Sequence, residues 1–123
     1  DYSKTGFEFL ITLGQIKNPK PRRDLYFRLK KLNVRFVTII SPFAIVSKYA
    51  SIGEGTIIMH QAILNAKAVV GHNCIINSKA LLEHEVNVSD NTHIATGAKL
   101  NGCVSVGKES FIGSNSAVIQ GVQ

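Results

Sequence analysis

SIGEGT IIMHQA ILNAKA VVGHNC IINSKA LLEHEV NVSDNT HIATGA KLNGCV SVGKES FIGSNS AVIQGV, residues 51–122 in blocks of six, carries an aliphatic residue at the second place of every block. The series runs Ile52, Ile58, Leu64, Val70, Ile76, Leu82, Val88, Ile94, Leu100, Val106, Ile112, Val118. Four places after each stands a small or β-branched residue: Thr56, Ala62, Ala68, Cys74, Ala80, Val86, Thr92, Ala98, Val104, Ser110, Ser116, Val122. A period of six does not fit one helix, because each step turns about 240° and scatters the apolar residues around the axis. It fits a solenoid, in which three blocks close a triangular coil of about eighteen residues with both repeated positions inward. Coils stack at strand spacing, about 4.8 Å, so residues 51–122 predict four coils and a rod of roughly 19 Å.

Working outward from the repeat, Val46 lies in phase before Ile52, and Ser41-Pro42 marks a break. Phe7 to Leu13 reads as a buried strand ending at Gly14, where a missing Cβ permits close approach of a phosphate or sugar. Pro21 suits a first helical turn, Leu25, Leu29 and Leu32 share one face with Arg22, Arg23, Lys30 and Lys31 largely opposite, and Asn33 is the stop. Val34 to Ile40 reads as a second strand. Strand, helix and strand suggest a βαβ unit, so the expected organisation is residues 1–40 as the C-terminal part of a small α/β domain and 41–123 as a parallel β-helix. The chain begins at Asp1 and the phase still holds at Val122, so the repeat is expected to continue past Gln123 in a longer protein. The glycines at 53, 55, 71, 97, 102, 107 and 113 are expected at bends.

The net charge of +6 is unevenly placed: residues 1–40 hold nine Lys or Arg against three Asp or Glu, whereas residues 41–123 hold five of each. A basic flank suits anionic partners, among them phosphate-bearing metabolites, and equally suits a solvated helix face. No stretch approaches the ~18 apolar residues of a membrane span, and no segment is laid out as a signal peptide. Two cysteines form neither a disulfide framework nor a metal knuckle, so a reducing cytoplasm is the default.

Chemistry has to come from residues that the repeat does not require. Of the histidines, His60, His72, His84 and His93, no two are eighteen apart, which disfavours a zinc site built by stacking them within one chain. Glu83-His84-Glu85 is the most distinctive triplet. A carboxylate beside His84 can accept from Nδ1–H and leave Nε2 as a general base, although sequence alone does not say which glutamate does so. Gly102, one coil on, should stack beside His84 and offer a backbone N–H to an oxyanion. His93, half a coil away, should lie on the far side of the prism. Neither cysteine belongs to the triplet site on this reading, which sets an acyl-cysteine route aside.

The uninterrupted hexads, the triplet, Asn77 seven residues before His84, His93 nine after it and Gly102 eighteen after it together resemble the hexapeptide-repeat acyltransferases of the left-handed parallel β-helix fold. The nearest branch is the sugar-nucleotide N-acetyltransferases acting on UDP-4-amino-sugars, with the related sialic acid O-acetyltransferases. The resemblance implies the left hand of the coil, a nucleotide-binding role for the N-terminal unit and acetyl-CoA as co-substrate. It implies that His84 is the base and Glu85 raises its basicity. Asn77 then lines the acceptor site and Gly14 the nucleotide side, while His93, Gly102 and Ser114 contact the thioester and its pantetheine arm. It further implies a homotrimer with coenzyme A between subunits, no resident metal, no nucleic-acid partner and no membrane insertion. The sugar acceptor is a UDP-4-amino-sugar amine, or alternatively a sialic acid hydroxyl. A γ-type carbonic-anhydrase-like metal enzyme and a non-catalytic solenoid are the readings outside this class.

Overall fold

The computed structural model describes Lys4 and residues 6–123. Each hexad folds as a two-residue strand followed by a four-residue corner, and the fifth place of the hexad takes a left-handed backbone. From Gly55 to Gly121 this left-handed residue recurs every sixth position, through Gln61, Lys67, Asn73, Lys79, Glu85, Asn91, Gly97, Cys103, Glu109 and Asn115. That conformation costs a non-glycine residue about 1–2 kcal/mol. It turns the chain sharply enough for the next residue, the small one, to point inward. Backbone bonds then run both ways along the stack: Glu83 N–H donates to Leu100 O on the following coil, and Glu85 N–H to Ala66 O on the preceding one.

The strands stack into three parallel sheets of five, five and four strands among the described residues. The first sheet holds Ile39–Ile40, Ile57–Ile58, Ile75–Ile76, His93–Ile94 and Phe111–Ile112. The second holds Ile45–Val46, Ile63–Leu64, Leu81–Leu82, Lys99–Leu100 and Ala117–Val118, and the third Ser51–Ile52, Val69–Val70, Asn87–Val88 and Ser105–Val106. Partners lie eighteen residues apart, as in Leu82 with Leu100. The predicted period is therefore the observed one. Inside the prism Ile58, Leu64, Ile76, Leu82, Val88, Ile94 and Leu100 are buried together with Ala62, Ala68, Cys74, Ala80 and Ala98. Each large aliphatic contributes roughly 1.5–3 kcal/mol by leaving water.

Ahead of the prism, β1 (Glu8–Phe9) pairs in parallel with β2 (Arg35–Phe36), and α1 (Lys20–Lys30) connects them. Pro21 lies in the first turn of α1, and Asn33 adopts φ 55° just beyond its end, as expected. Three expectations change. The strand foreseen over Phe7–Leu13 is only Glu8–Phe9, so Gly14 sits in an exposed loop five residues past it. The strand foreseen over Val34–Ile40 is split: Arg35–Phe36 stays with β1, while Ile39–Ile40 already pairs with Ile57–Ile58 of the solenoid. The helix face is also different. Arg22 is fully buried and Leu32 is exposed, with Tyr26, Leu25 and Leu29 completing the inward side. The glycines divide as well: Gly55 and Gly97 take the left-handed corner, Gly53 and Gly71 admit close approach of the next coil, and Gly107 and Gly113 have room for a Cβ.

Candidate active site

The corner that follows Leu81–Leu82 joins the second sheet to the third and carries the triplet. Its two glutamates have different partners. Glu83 Oε2 accepts from Asn65 Nδ2 at 2.8 Å, one coil back. Glu85 Oε2 instead lies 3.5 Å from His84 Nδ1, an ion-pair distance just beyond a normal hydrogen bond. Both side chains are about half exposed, at 53% and 47%. The left-handed φ of Glu85 belongs to the repeat and carries no functional meaning of its own. Its carboxyl is held below the usual range, first by the Lys67 ammonium 3.3 Å away, then by the Cys103 thiol and by His84.

Gly102 stacks against His84 as the count of eighteen predicts. A Cβ on Gly102 would lie 2.5 Å from His84 Nε2, so the room left by the missing side chain is filled by the imidazole itself. The backbone N–H at this place in the hexad points outward along the rod: Glu54 N–H donates to His72 Nδ1 at 3.1 Å and His72 N–H to Asp90 Oδ1 at 2.8 Å, each to the side chain one coil on. Gly102 occupies the equivalent place and donates to no described residue. The corner thus unites a half-exposed imidazole, a carboxylate on its Nδ1 side and, packed against the ring, a glycine whose backbone N–H is uncommitted.

Asn77 and His93 come together elsewhere. Asn77 Nδ2 lies 3.1 Å from His93 Nε2, and His93 Nδ1 is bonded to Gln15 O. A carbonyl at Nδ1 requires a proton there, so Nε2 accepts from Asn77 and the ring is neutral. Burial pushes the pKa of His93 down. Asn77 lies at the corner between the first and second sheets, and His93 on the first sheet, across the prism from His84. Ser114 is exposed on the same corner as Asn77, two coils beyond Ser78. His60 Nδ1 pairs with Ser41 Oγ at 2.6 Å, and His72 serves the Glu54 N–H, so both are engaged in the scaffold.

One expectation about the cysteines fails. Cys74 is a core thiol, with its pKa pushed up to about 11 by burial. Cys103, however, is exposed with Sγ 3.6 Å from Glu85 Oε2, so it does belong to the triplet corner. The signal was present in the sequence, since Cys103 and Lys67 each lie eighteen residues from Glu85. Partial loss of solvent, and then the adjacent carboxylate, push the Cys103 pKa up and keep it a thiol, which makes it a poor acyl acceptor. His84, Glu85 and Cys103 also offer donor atoms within 4.8 Å of one another.

Among solved structures, the chain superposes on the acetyltransferase domain of PglB from Neisseria gonorrhoeae FA1090 in complex with acetyl coenzyme A, with TM-score 0.88, 30% identity, and coverage of 94% of this chain and 55% of that one. A curated relative, the UDP-N-acetylbacillosamine N-acetyltransferase of Bacillus subtilis (strain 168), is 51% identical over 51 residues, 42% of this chain and 22% of that protein. The chain resembles the hexapeptide-repeat sugar N-acetyltransferases. A variant of perosamine N-acetyltransferase from Caulobacter crescentus, in complex with CoA and GDP-perosamine, superposes with TM-score 0.79 at 20% identity over 98% of this chain and 65% of that one, a likeness of fold alone. No family model matches the chain. It spans just over half the length of the PglB domain and about a fifth of the curated relative. Among the described residues no helix is long and apolar enough to cross a membrane.

Proposed function

We propose that the protein containing this chain is an acetyl-CoA-dependent sugar N-acetyltransferase with His84 as its general base. The observation that carries the reading is the corner itself, where the His84 ring lies over Gly102 with Glu85 at Nδ1. The sugar amine, in its neutral form, attacks the acetyl carbonyl and forms the new C–N bond while its proton passes to His84 Nε2. Gly102 N–H steadies the oxyanion of the tetrahedral intermediate. Collapse breaks the C–S bond, and the leaving sulfur takes the proton from the imidazolium. Glu85 orients the ring and stabilises its charged state. The histidine attacks nothing, so no covalent enzyme intermediate forms.

The remaining assignments concern an assembly. The described residues of one chain form no enclosed pocket, and His93 lies across the prism from His84. That the assembly is a homotrimer with a left-handed coil rests on the resemblance of the sequence to the hexapeptide-repeat acyltransferases; the position of His93 supports an arrangement in which His84 of one subunit works beside Asn77 and His93 of its neighbour. Acetyl-CoA then lies between them, and Ser114 faces the pantetheine arm. The βαβ unit of β1, α1 and β2 is the end of a nucleotide-binding domain, with exposed Gly14 toward the sugar nucleotide. The acceptor is the amine of a UDP-4-amino-sugar and the enzyme works in the cytoplasm. The intact protein should acetylate a UDP-4-amino-sugar, with the amide quantified directly, and leave free sialic acid unmodified. Transfer to sialic acid alone would replace N- by O-acetylation, and transfer to neither would remove the proposal.

A further inference from the structure

We propose that the triplet corner is also a zinc site, closed by Cys103, whose occupation switches the base off. The inference rests on the general-base reading for its effect on turnover, but not for the binding itself. Three donors of the types that zinc selects converge there: an imidazole, a carboxylate and a thiol. With zinc bonds of about 2.0–2.3 Å, a tetrahedral site has N···O edges of about 3.3 Å and S···O edges of about 3.6 Å. The measured separations are 3.5 Å for His84 Nδ1 to Glu85 Oε2 and 3.6 Å for Cys103 Sγ to the same oxygen. Two edges of the coordination polyhedron are thus formed before an ion arrives. His84 and Glu85 are chain neighbours, while Cys103 is fixed one coil on by the bond from its own N–H to His84 O at 3.0 Å. In the single chain all three residues are exposed, so the fourth position is open, and in the proposed assembly it faces the cleft between subunits. Lys67 must release Glu85, and an exposed ion pair of this kind is weak and readily exchanged for water.

The consequence for catalysis follows from the imidazole. A metal takes the lone pair of a ring nitrogen, so zinc on Nδ1 leaves the neutral ring's proton on Nε2, the nitrogen beside Gly102. A protonated Nε2 cannot accept the proton of an incoming amine. Binding also converts the Cys103 thiol to a thiolate and releases its proton to solvent. Removing the ion with a chelator returns the base.

The test uses the intact, tag-free protein and metal ions alone. Co²⁺ should give a thiolate-to-cobalt charge-transfer band that Zn²⁺ abolishes by displacement. Cys103→Ser, with Cys103→Ala as a second variant should the first misfold, should lose the band, and His84→Ala should bind at least tenfold more weakly. Cys74 is fully buried, so within this chain the band belongs to Cys103; a band of undiminished intensity in both Cys103 variants would overturn the site, as would the absence of any band in the wild type. In the turnover arm, Zn²⁺ should inhibit the wild type reversibly and require at least tenfold more metal in Cys103→Ser. Product amide is measured there, since free coenzyme A would itself bind zinc. Activity that rises with zinc would overturn the inhibitory role. If no acetyl transfer is seen at all, the cobalt spectrum still decides the site.

Discussion

Glu83 and Glu85 flank the same histidine, yet one is spent on Asn65 and the other faces Nδ1. Glu85→Gln should therefore lower turnover roughly tenfold or more, the effect of losing an orienting partner, while Glu83→Gln changes it little. Cys103→Ala should leave zinc-free turnover near the wild-type value, because a thiol whose pKa is pushed up by partial loss of solvent and then by Glu85 is not an acyl carrier; steady-state rates on the three variants check both points. Counting in eighteens from His84 found Gly102 in the sequence. Cys103 and Lys67 stand at the same spacing from Glu85, but neither is a histidine, so the stacking of histidines gives no sign of them. His93 makes a different prediction. Its ring faces Gln15 O, the Asn77 amide and the Phe111 ring, with the Arg22 charge nearby, and burial sets its folded pKa below the unfolded value of about 6.5. Such a group contributes stability above that value and loses it as pH falls through the folded pKa. Denaturant midpoints measured from neutral to acid pH should fall more steeply for the wild type than for His93→Gln.

At the scale of the hexad and the helix, pattern and sterics separate. The alternation of large and small inward residues was fully legible, because a period of six has few other physical solutions. Which glycines matter was not, since that depends on what the next coil places above each one. A Cβ on Gly53 would lie 2.6 Å from the backbone carbon of Gly71, which cannot yield, whereas one on Gly107 would meet only Ser110 Oγ at 3.8 Å. Gly53→Ala should thus destabilise by about 2 kcal/mol or more and Gly107→Ala by much less, as thermal midpoints would show. For α1 the leucine spacing placed Arg22 on the wet face. The structure turns it inward because four backbone carbonyls await it there, a fact about distant segments that no local periodicity encodes.

Across the whole molecule, Arg22 joins the N-terminal unit to the solenoid. Its guanidinium donates to Ile11 O at 2.6 Å and Leu13 O at 2.8 Å within that unit, and to Gly55 O at 3.3 Å and Asn73 O at 3.4 Å on the prism. Arg23 with Glu109, and Tyr26 and Lys30 with Glu54, extend the same contact across the surface. Arg22→Ala should cost about 2–5 kcal/mol, because it leaves buried carbonyls without donors, and should lower the unfolding midpoint accordingly. The solenoid follows from the repeat, and so does the His84–Gly102 pairing. How subunits would meet in the proposed trimer does not, since one chain's sequence records only its own stacking. The central claim is that His84 takes the amine's proton. Turnover of the intact His84→Ala protein on acetyl-CoA and a UDP-4-amino-sugar should fall by about 10²–10⁴-fold with the fold and acetyl-CoA affinity preserved; a rate within a few-fold of wild type would contradict it.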